Sequence, residues 1–356
     1  FLMENKITNE ADGKEEVTSF PKFVNGKFLN PEDWGFNEKK ISDILKWKLW
    51  ERPASLPSLK EIEERLPVLT PDKNQLEQFH QQDDVKHGVQ TTWIGHSTFL
   101  VQMEGINILT DPVFYDRCSP IPFLGPKRYR PPSLTLEQLP EIHSVVVSHD
   151  HYDHLDIGAI QYLAKNSPDT DYFVCKGMKE WFKDRGIKEE KIHELTWWES
   201  YPYSEDLKMV CTPCQHWTKR NLTNTCKALW SSWSLIGTNN KVFFAGDTAY
   251  CPAFKEVGQL FGPFDVGLIP IGAYCPRWFM KAAHINPKEA VKIHKDLQCK
   301  KSIGMHWGTF VLTDEHIFEP AEKLELAKEK LDVGKDEFVT VFHGQTCVWK
   351  EGQDIL

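Results

Sequence analysis

A chain of 356 residues can hold one large α/β domain or two smaller ones. With 40% apolar and 26% charged residues it has the composition of a globular protein with a sizeable core, not of a disordered chain. A net charge of −9 argues against nucleic-acid binding, which draws its affinity from a basic face, and against purely electrostatic adsorption to an anionic membrane. Nine scattered cysteines and no secretory apolar region at the start point to reduced thiols in a cytosolic compartment. Cys211 and Cys214 have redox spacing but lack the helix start that such a site needs. The longest apolar stretch, Val266 to Cys275, falls short of the ~20 residues that cross a bilayer, so no transmembrane helix is expected.

Residues 1–35 are polar and charged and are expected to be disordered or loosely attached. Residues 36–88 read as a helical segment. One helix covers Ile41 to Trp50, with Pro53 as its stop, and a second lies between Ser55 and Pro67. These helices either pack on the main domain or form an amphipathic docking element that brings Trp47, Leu49 and Trp50 to a membrane interface. The main domain is placed at 89–356. It opens with a meander of three short strands, Gln90–Ile94, Thr98–Gln102 and Ile106–Thr110. His96, in the first turn, reads as a residue behind a metal ligand or as a satisfied core histidine. Asp111, after the third strand, reads as the orienter of a ligating histidine or as a turn cap. The loop 118–132 interleaves aromatic and basic residues and reads as a solvated loop or as a rim facing phosphate headgroups.

The apolar run Ser144 to Val147 reads as a buried strand, and Ser148-His149-Asp150-His151-Tyr152-Asp153-His154 follows at its end. Residues i and i+2 of an extended chain point the same way, so His149 and His151 can grip one ion. Asp153 and His154 come after the chain has begun to turn and face a second ion. Imidazole and carboxylate are a donor set that suits Zn²⁺. Beyond this point strands and helices alternate: a helix from Ile157 to Asn166, strands at Tyr172–Cys175, Leu207–Cys211, Leu229–Ile236, Lys241–Ala245 and Asp265–Pro270, a helix from Pro287, a strand at Lys301–Met305, a helix from Pro320 and a last strand at Phe338–Phe342. Three more candidate ligands sit just past apolar strands: His216, Asp247 and His306. Together these are too many donors for one tetrahedral zinc, and they fit two ions that share a carboxylate. Arg277-Trp278-Phe279-Met280-Lys281 reads as a lipid-facing wall.

The pattern His-x-His-x-Asp-His followed by a separate His, Asp and His resembles the metallo-β-lactamase superfamily. The stretches TWIGHST, LTDPVF, GPKRYR, SHDHYDHLD, QHWTKR, FFAGDTAYCPAF, IPIGAY, PRWFMK and MHWGTF resemble, more narrowly, the N-acylphosphatidylethanolamine-hydrolysing phospholipase D family, over residues 90–345. The resemblance implies an α/β fold, an αβ/βα sandwich of two mixed β-sheets flanked by helices. It implies two Zn²⁺ per chain, one held by His149, His151 and His216 and the other by Asp153, His154 and His306, with Asp247 bridging. It implies attack of a zinc-bridging hydroxide on phosphorus, which yields an N-acylethanolamine and phosphatidic acid. Asp247 and His284 are then the catalytic candidates, and Tyr152 and His284 match residues that contact the phospholipid. Lys219 matches a bile-acid contact, but the methionine expected nearby is Thr223, which weighs against bile-acid binding. The family further implies a homodimer seated peripherally on the cytosolic face of internal membranes. A soluble phosphodiesterase or lactonase with the same metal core, and a non-catalytic zinc-stabilised binding domain, are the competing expectations.

Overall fold

The computed structural model describes residues 17–51, 54–81, 88–121 and 123–350; the expectations for residues 1–16 and for Pro53 lie outside them. Two seven-stranded mixed sheets form the body. The first runs in the order Thr346–Trp349, Val89–Gly95, Thr98–Met103, Ile106–Thr110, Ser144–Val146, Asp171–Cys175, Ile192–Leu195. Its first four strands pair antiparallel and the remaining pairings are parallel. The second runs Phe338–Val339, Lys301–Met305, Val266–Pro270, Lys241–Phe244, Ser232–Gly237, Leu207–Thr212, Ser200–Pro202. Here too one half is parallel and the other antiparallel. Strands buried on both faces explain why Val89–Gly95, Thr98–Met103 and Val266–Pro270 carry no polar-out alternation.

One continuous buried cluster takes side chains from both sheets and from the helices beside them. The sheets are also tied directly, because the Trp233 indole N–H donates to the Val147 carbonyl at 3.1 Å. The helices Ile157–Asn166, Ala253–Phe261, Pro287–Asp296 and Glu319–Leu331 turn apolar faces to this core. Their starts follow from sequence. Asp156 caps the first by accepting from the Gly158 and Ala159 N–H groups, and Asn286 caps the third in a reciprocal box with Glu289.

The N-terminal region departs from its expectation. A hairpin of Lys22–Val24 and Lys27–Leu29 stands in the stretch read as loosely attached, and Phe28 is part of the core. Helix Ile41–Trp50 is present as expected, and the second helix is confined to Leu59–Arg65. Ile62, Leu66 and Leu76 enter the same core as the sheets, so the region 54–81 packs on the main body. The strand expected at Leu229 begins at Ser232, because Trp230 and Ser231 already hydrogen-bond to other loops. The short strands Ile192–Leu195, Ser200–Pro202 and Thr346–Trp349 at sheet edges were not expected from the sequence.

Acid stability follows from one buried ring. His343 is fully buried, stacks on Trp93 with centroids 4.2 Å apart and lies 3.0 Å from the Thr309 hydroxyl. Burial, aided by Arg128 and Arg130, lowers its pKa to about 3. The unfolded ring titrates near 6.5, so the folded protein binds fewer protons, and this contribution is complete above pH ~6.5 and lost as pH falls towards 3. The unfolding free energy from urea titrations should therefore fall below pH ~6.5 with a slope of up to ~1.4 kcal/mol per pH unit from this ring. A His343→Gln variant, which cannot take the proton, should show a shallower fall.

Candidate metal centre

Strand ends from both sheets deliver the candidate ligands to one edge. Strand Ser144–Val146 hands over to Ser148–His154, and Leu207–Thr212 to His216. Strand Lys241–Phe244 leads through Gly246 to Asp247, and Lys301–Met305 leads to His306. Gly246 has φ of +58°, and a Cβ there would lie 2.5 Å from that of Ser148, so the two ligand-bearing loops approach at a distance only glycine permits. His96, Asp111 and His306 adopt positive φ without being glycine, which concentrates backbone strain here.

The seven ligand candidates come together in two abutting groups. In the first, His151 Nδ1 lies 2.8 Å from His149 Nε2 and 3.3 Å from His216 Nε2. In the second, Asp153 Oδ2 lies 3.5 Å from His154 Nε2 and 3.4 Å from His306 Nε2. Asp247 stands between them. Its Oδ2 is 3.1 Å from His154, 3.9 Å from His149 and 3.8 Å from His216, and its Oδ1 is 3.0 Å from His306. Asp247 thus lies within 4 Å of rings from both groups. The outer faces of several rings are fixed. His216 Nδ1 lies 2.9 Å from the Ala283 carbonyl, which can only accept, so the proton sits on Nδ1 and the Nε2 lone pair faces inward. His154 Nδ1 is held at 2.6 Å by Asp111, whose carboxylate also takes the Ser148 N–H and hydroxyl, and His149 Nδ1 meets the same hydroxyl at 2.8 Å.

The electrostatics split the rings. Burial, with help from neighbouring rings, holds His149 and His216 well below the usual imidazole range, and burial brings His151 to about 4. For His154 and His306 burial acts the same way, but the surrounding carboxylates outweigh it. His154 is raised well above its ordinary value and His306 to about 9. Burial opposes ionisation of Asp153 and Asp247, yet the rings hold both far below the carboxylate range. With protein charges alone, protons occupy the sites where cations would bind, and divalent ions displace them. The donor set fits such ions. His154 Nε2, His306 Nε2 and Asp247 Oδ1 are sealed from water and meet the opposing charge at ion-pair distance without hydrogen-bond geometry, an arrangement that cation coordination would satisfy.

The remaining candidates fall around this cluster. His284 Nδ1 is 3.9 Å from Asp247 Oδ2, and its ring packs edge-on to His216 at 5.2 Å. Tyr152 donates its hydroxyl to the Arg220 carbonyl at 2.8 Å, and its ring lies under the Arg220 guanidinium at 4.2 Å. Lys219 is half-buried in the segment after His216, and Thr223 is exposed. Arg220 itself escaped the sequence reading, although it is buried and also donates to the Asp150 carbonyl. Two expectations change. Arg128 and Arg130 of loop 118–132 are buried, and Arg128 donates to the Val113 and Tyr115 carbonyls, so Arg128 braces the loop and neither base stands on an exposed rim. In the segment 277–281, Phe279 and Met280 are buried against Trp47, which leaves Trp278 as the exposed apolar side chain. Cys211 and Cys214 are fully buried at a strand end and serve packing.

Two mixed sheets with a histidine–aspartate cluster on one edge define a metal-dependent hydrolase of the β-lactamase superfamily, and the family model for the β-lactamase superfamily domain matches residues 106–307. Solved structures share the fold. A metallo hydrolase from Ignicoccus hospitalis superposes with a TM-score of 0.56 at 21% identity, over 74% of this chain and 99% of its own. An isothiocyanate hydrolase from Delia radicum gut bacteria does so with a TM-score of 0.56 at 17% identity, over 75% of this chain and 100% of its own. Closer in sequence, an N-acyl-phosphatidylethanolamine-hydrolyzing phospholipase D of Caenorhabditis elegans is 43% identical over 97% of this chain and 96% of its own. A mitochondrial protein of that name from Saccharomyces cerevisiae is 40% identical over 68% of this chain and 52% of its own. The chain belongs to the N-acylphosphatidylethanolamine-hydrolysing phospholipase D family.

Asp111 tests the outer support of the cluster. Asp111→Ala frees the His154 ring and should lower metal affinity by about 10–100-fold, measured by competition with a chromophoric chelator, while the far-ultraviolet circular dichroism stays unchanged.

Proposed function

We propose that the chain is a dizinc phospholipase D that hydrolyses N-acylphosphatidylethanolamines, with His149, His151 and His216 holding one ion, Asp153, His154 and His306 the other, and Asp247 bridging. The carrying observation is the convergence of these seven side chains in a member of this family. Zn²⁺ suits a nitrogen-rich set with carboxylate, and such an ion pair when bound supplies Lewis-acid charge to a phosphodiester and acidifies water. Water adds to phosphorus, the bond to the N-acylethanolamine oxygen breaks, and the proton ends on that oxygen, which leaves phosphatidic acid.

The chain's own residues orient this reaction. Burial brings His284 to about 4, so the ring is neutral at pH 7 and offers the substrate phosphate a hydrogen bond; a charged phosphate beside it favours protonation and transfer to the leaving oxygen. Arg277 fixes the segment that carries His284, donating to the His284 carbonyl at 2.8 Å and to Glu289 at 2.9 Å. Tyr152, braced by Arg220, presents a flat wall beside His151 for the substrate.

An apolar face leads away from His284. Trp278 is 43% exposed, and beside it Leu49 and Trp50 of helix Ile41–Trp50 are 74% and 78% exposed. Lys46 lies 4.7 Å from the Trp278 ring, so aromatic and basic groups interleave as they do in helices seated at a bilayer interface. None of the described helices is long and apolar enough to cross a membrane. We take the chain as a peripheral protein that draws its lipid across this face. The resemblance adds a homodimer and a seat on the cytosolic face of internal membranes. Thr223 leaves bile-acid binding without support.

Lipid mass spectrometry tests the activity. Asp247→Asn, or removal of metal by chelation, should cut N-acylethanolamine release by about a hundredfold or more, with phosphatidic acid falling in step. A Leu49→Ser, Trp50→Ser double variant should lose activity on vesicles about tenfold while keeping it on detergent-dispersed lipid.

A further inference from the structure

His96 is not needed to complete the ligand set above, yet among the described side chains outside that set it is the one in hydrogen-bond contact with Asp153. Its Nε2 lies 3.1 Å from Asp153 Oδ2, within hydrogen-bond geometry. The ring is 2% exposed and is gripped on three sides: His306 at 4.1 Å, His154 at 5.4 Å and Phe310 edge-on at 5.2 Å, between ring centroids. The backbone is held as firmly. The His96 N–H donates to the Thr309 hydroxyl at 2.8 Å, and its carbonyl accepts from the Trp93 indole at 2.9 Å and from the His306 N–H at 3.1 Å. All this fixes a residue with φ of +55°, a conformation costly for a non-glycine side chain.

The donor at Asp153 follows by elimination. His154 and His306 are the other nitrogen neighbours of Asp153 Oδ2, at 3.5 and 3.4 Å. His154 spends its Nδ1 proton on Asp111, so as a neutral ligand it turns a lone pair, not an N–H, towards the cluster. His306, as a ligand through Nε2, does the same. A ligating carboxylate keeps its orientation only if a fixed donor holds it, and the remaining neighbour of Asp153 Oδ2 is His96.

We propose that His96 is a positioning residue: its Nε2–H holds Asp153 Oδ2, the oxygen that also faces His154 and His306, and so fixes the Asp153 carboxylate for the second metal ion. The inference rests on the dizinc reading above.

The test compares His96→Leu with His96→Gln, which share the backbone strain but differ in the donor. The Gln amide can reach the position of Nε2, whereas Leu only fills space. Metal per chain is counted by plasma mass spectrometry after dialysis against graded chelator, and the cobalt-substituted proteins are compared by absorption. Expected is an affinity for the second ion about 10–100-fold weaker in His96→Leu, with the first ion retained and affinity largely restored in His96→Gln. Two ions held with wild-type affinity in His96→Leu overturn the inference, as does equal loss in both variants. If the wild type binds two ions but releases no N-acylethanolamine, the phospholipase reading fails while the His96 inference stands. If the wild type binds one ion at all chelator levels, both fall.

Discussion

Lone pairs forced together in a place without water are the constraint on which the rest of this structure depends. His149, His151, His154, His216 and His306 point nitrogens at one another and at two carboxylates across gaps of 2.8 to 3.9 Å. Protons satisfy this arrangement poorly. His154 and His306 take them readily, but His149, His151 and His216 resist them because burial disfavours the charged ring. A cluster that half accepts and half rejects protons is unfavourable for a protein alone and favourable around cations, since metal coordination asks every nitrogen for the same thing, an inward lone pair. The outer contacts made by Asp111, Ser148 and the Ala283 carbonyl enforce that orientation for His154, His149 and His216.

The fold provides the convergence. Each sheet changes from antiparallel to parallel pairing midway, and the ligands all leave from interior strands, flanked by a neighbour on each side. Central strands are buried on both faces, so their ends are the best-fixed points from which a loop can project. Close approach of the loops then depends on small features, such as Gly246 against Ser148. Rigidity of this kind suits a reaction whose stabilising charges must be in place before the substrate arrives.

The legible parts of the sequence were those where one local pattern decides the outcome. The helices Ile157–Asn166 and Pro287–Asp296 carry their own caps and apolar stripes, and the strand Lys301–Met305 is an unbroken buried run. The metal candidates were legible because His149 to His154 are crowded into one turn and because His216, Asp247 and His306 each follow a strand. What stayed hidden depends on tertiary contact. Edge strands such as Ile192–Leu195 are too short and too mixed to announce themselves. Arg128 and Arg130 look like surface charge, yet they are buried because backbone carbonyls from the preceding segment satisfy Arg128, and no local pattern encodes that. Phe279 and Met280 look lipid-facing until Trp47, more than two hundred residues away, covers them. Arg220 lies in the QHWTKR stretch, but its contacts with the Tyr152 ring and the Asp150 carbonyl arise only in the fold.

The N-terminal region carries the furthest consequence of such contacts. Polar composition suggested a loose appendage, but the chain from residue 17 is stitched to the segments that bear ligands. The Ser19 carbonyl accepts from the Trp198 indole, the Phe28 N–H donates to the Cys226 carbonyl, and the Asn30 amide donates to the carbonyl of His216 itself at 2.9 Å. Further on, Trp47 donates to Asp314 and packs on Phe279, in the turn that leads to His284. The same arm thus meets the first metal group through His216 and the proposed proton-handling residue through Phe279, and it then turns Leu49 and Trp50 outward. On the proposed reading, an apolar face rooted in this way would move on a bilayer together with the metal centre, so where it settles would set how far that centre stands from the headgroup phosphates.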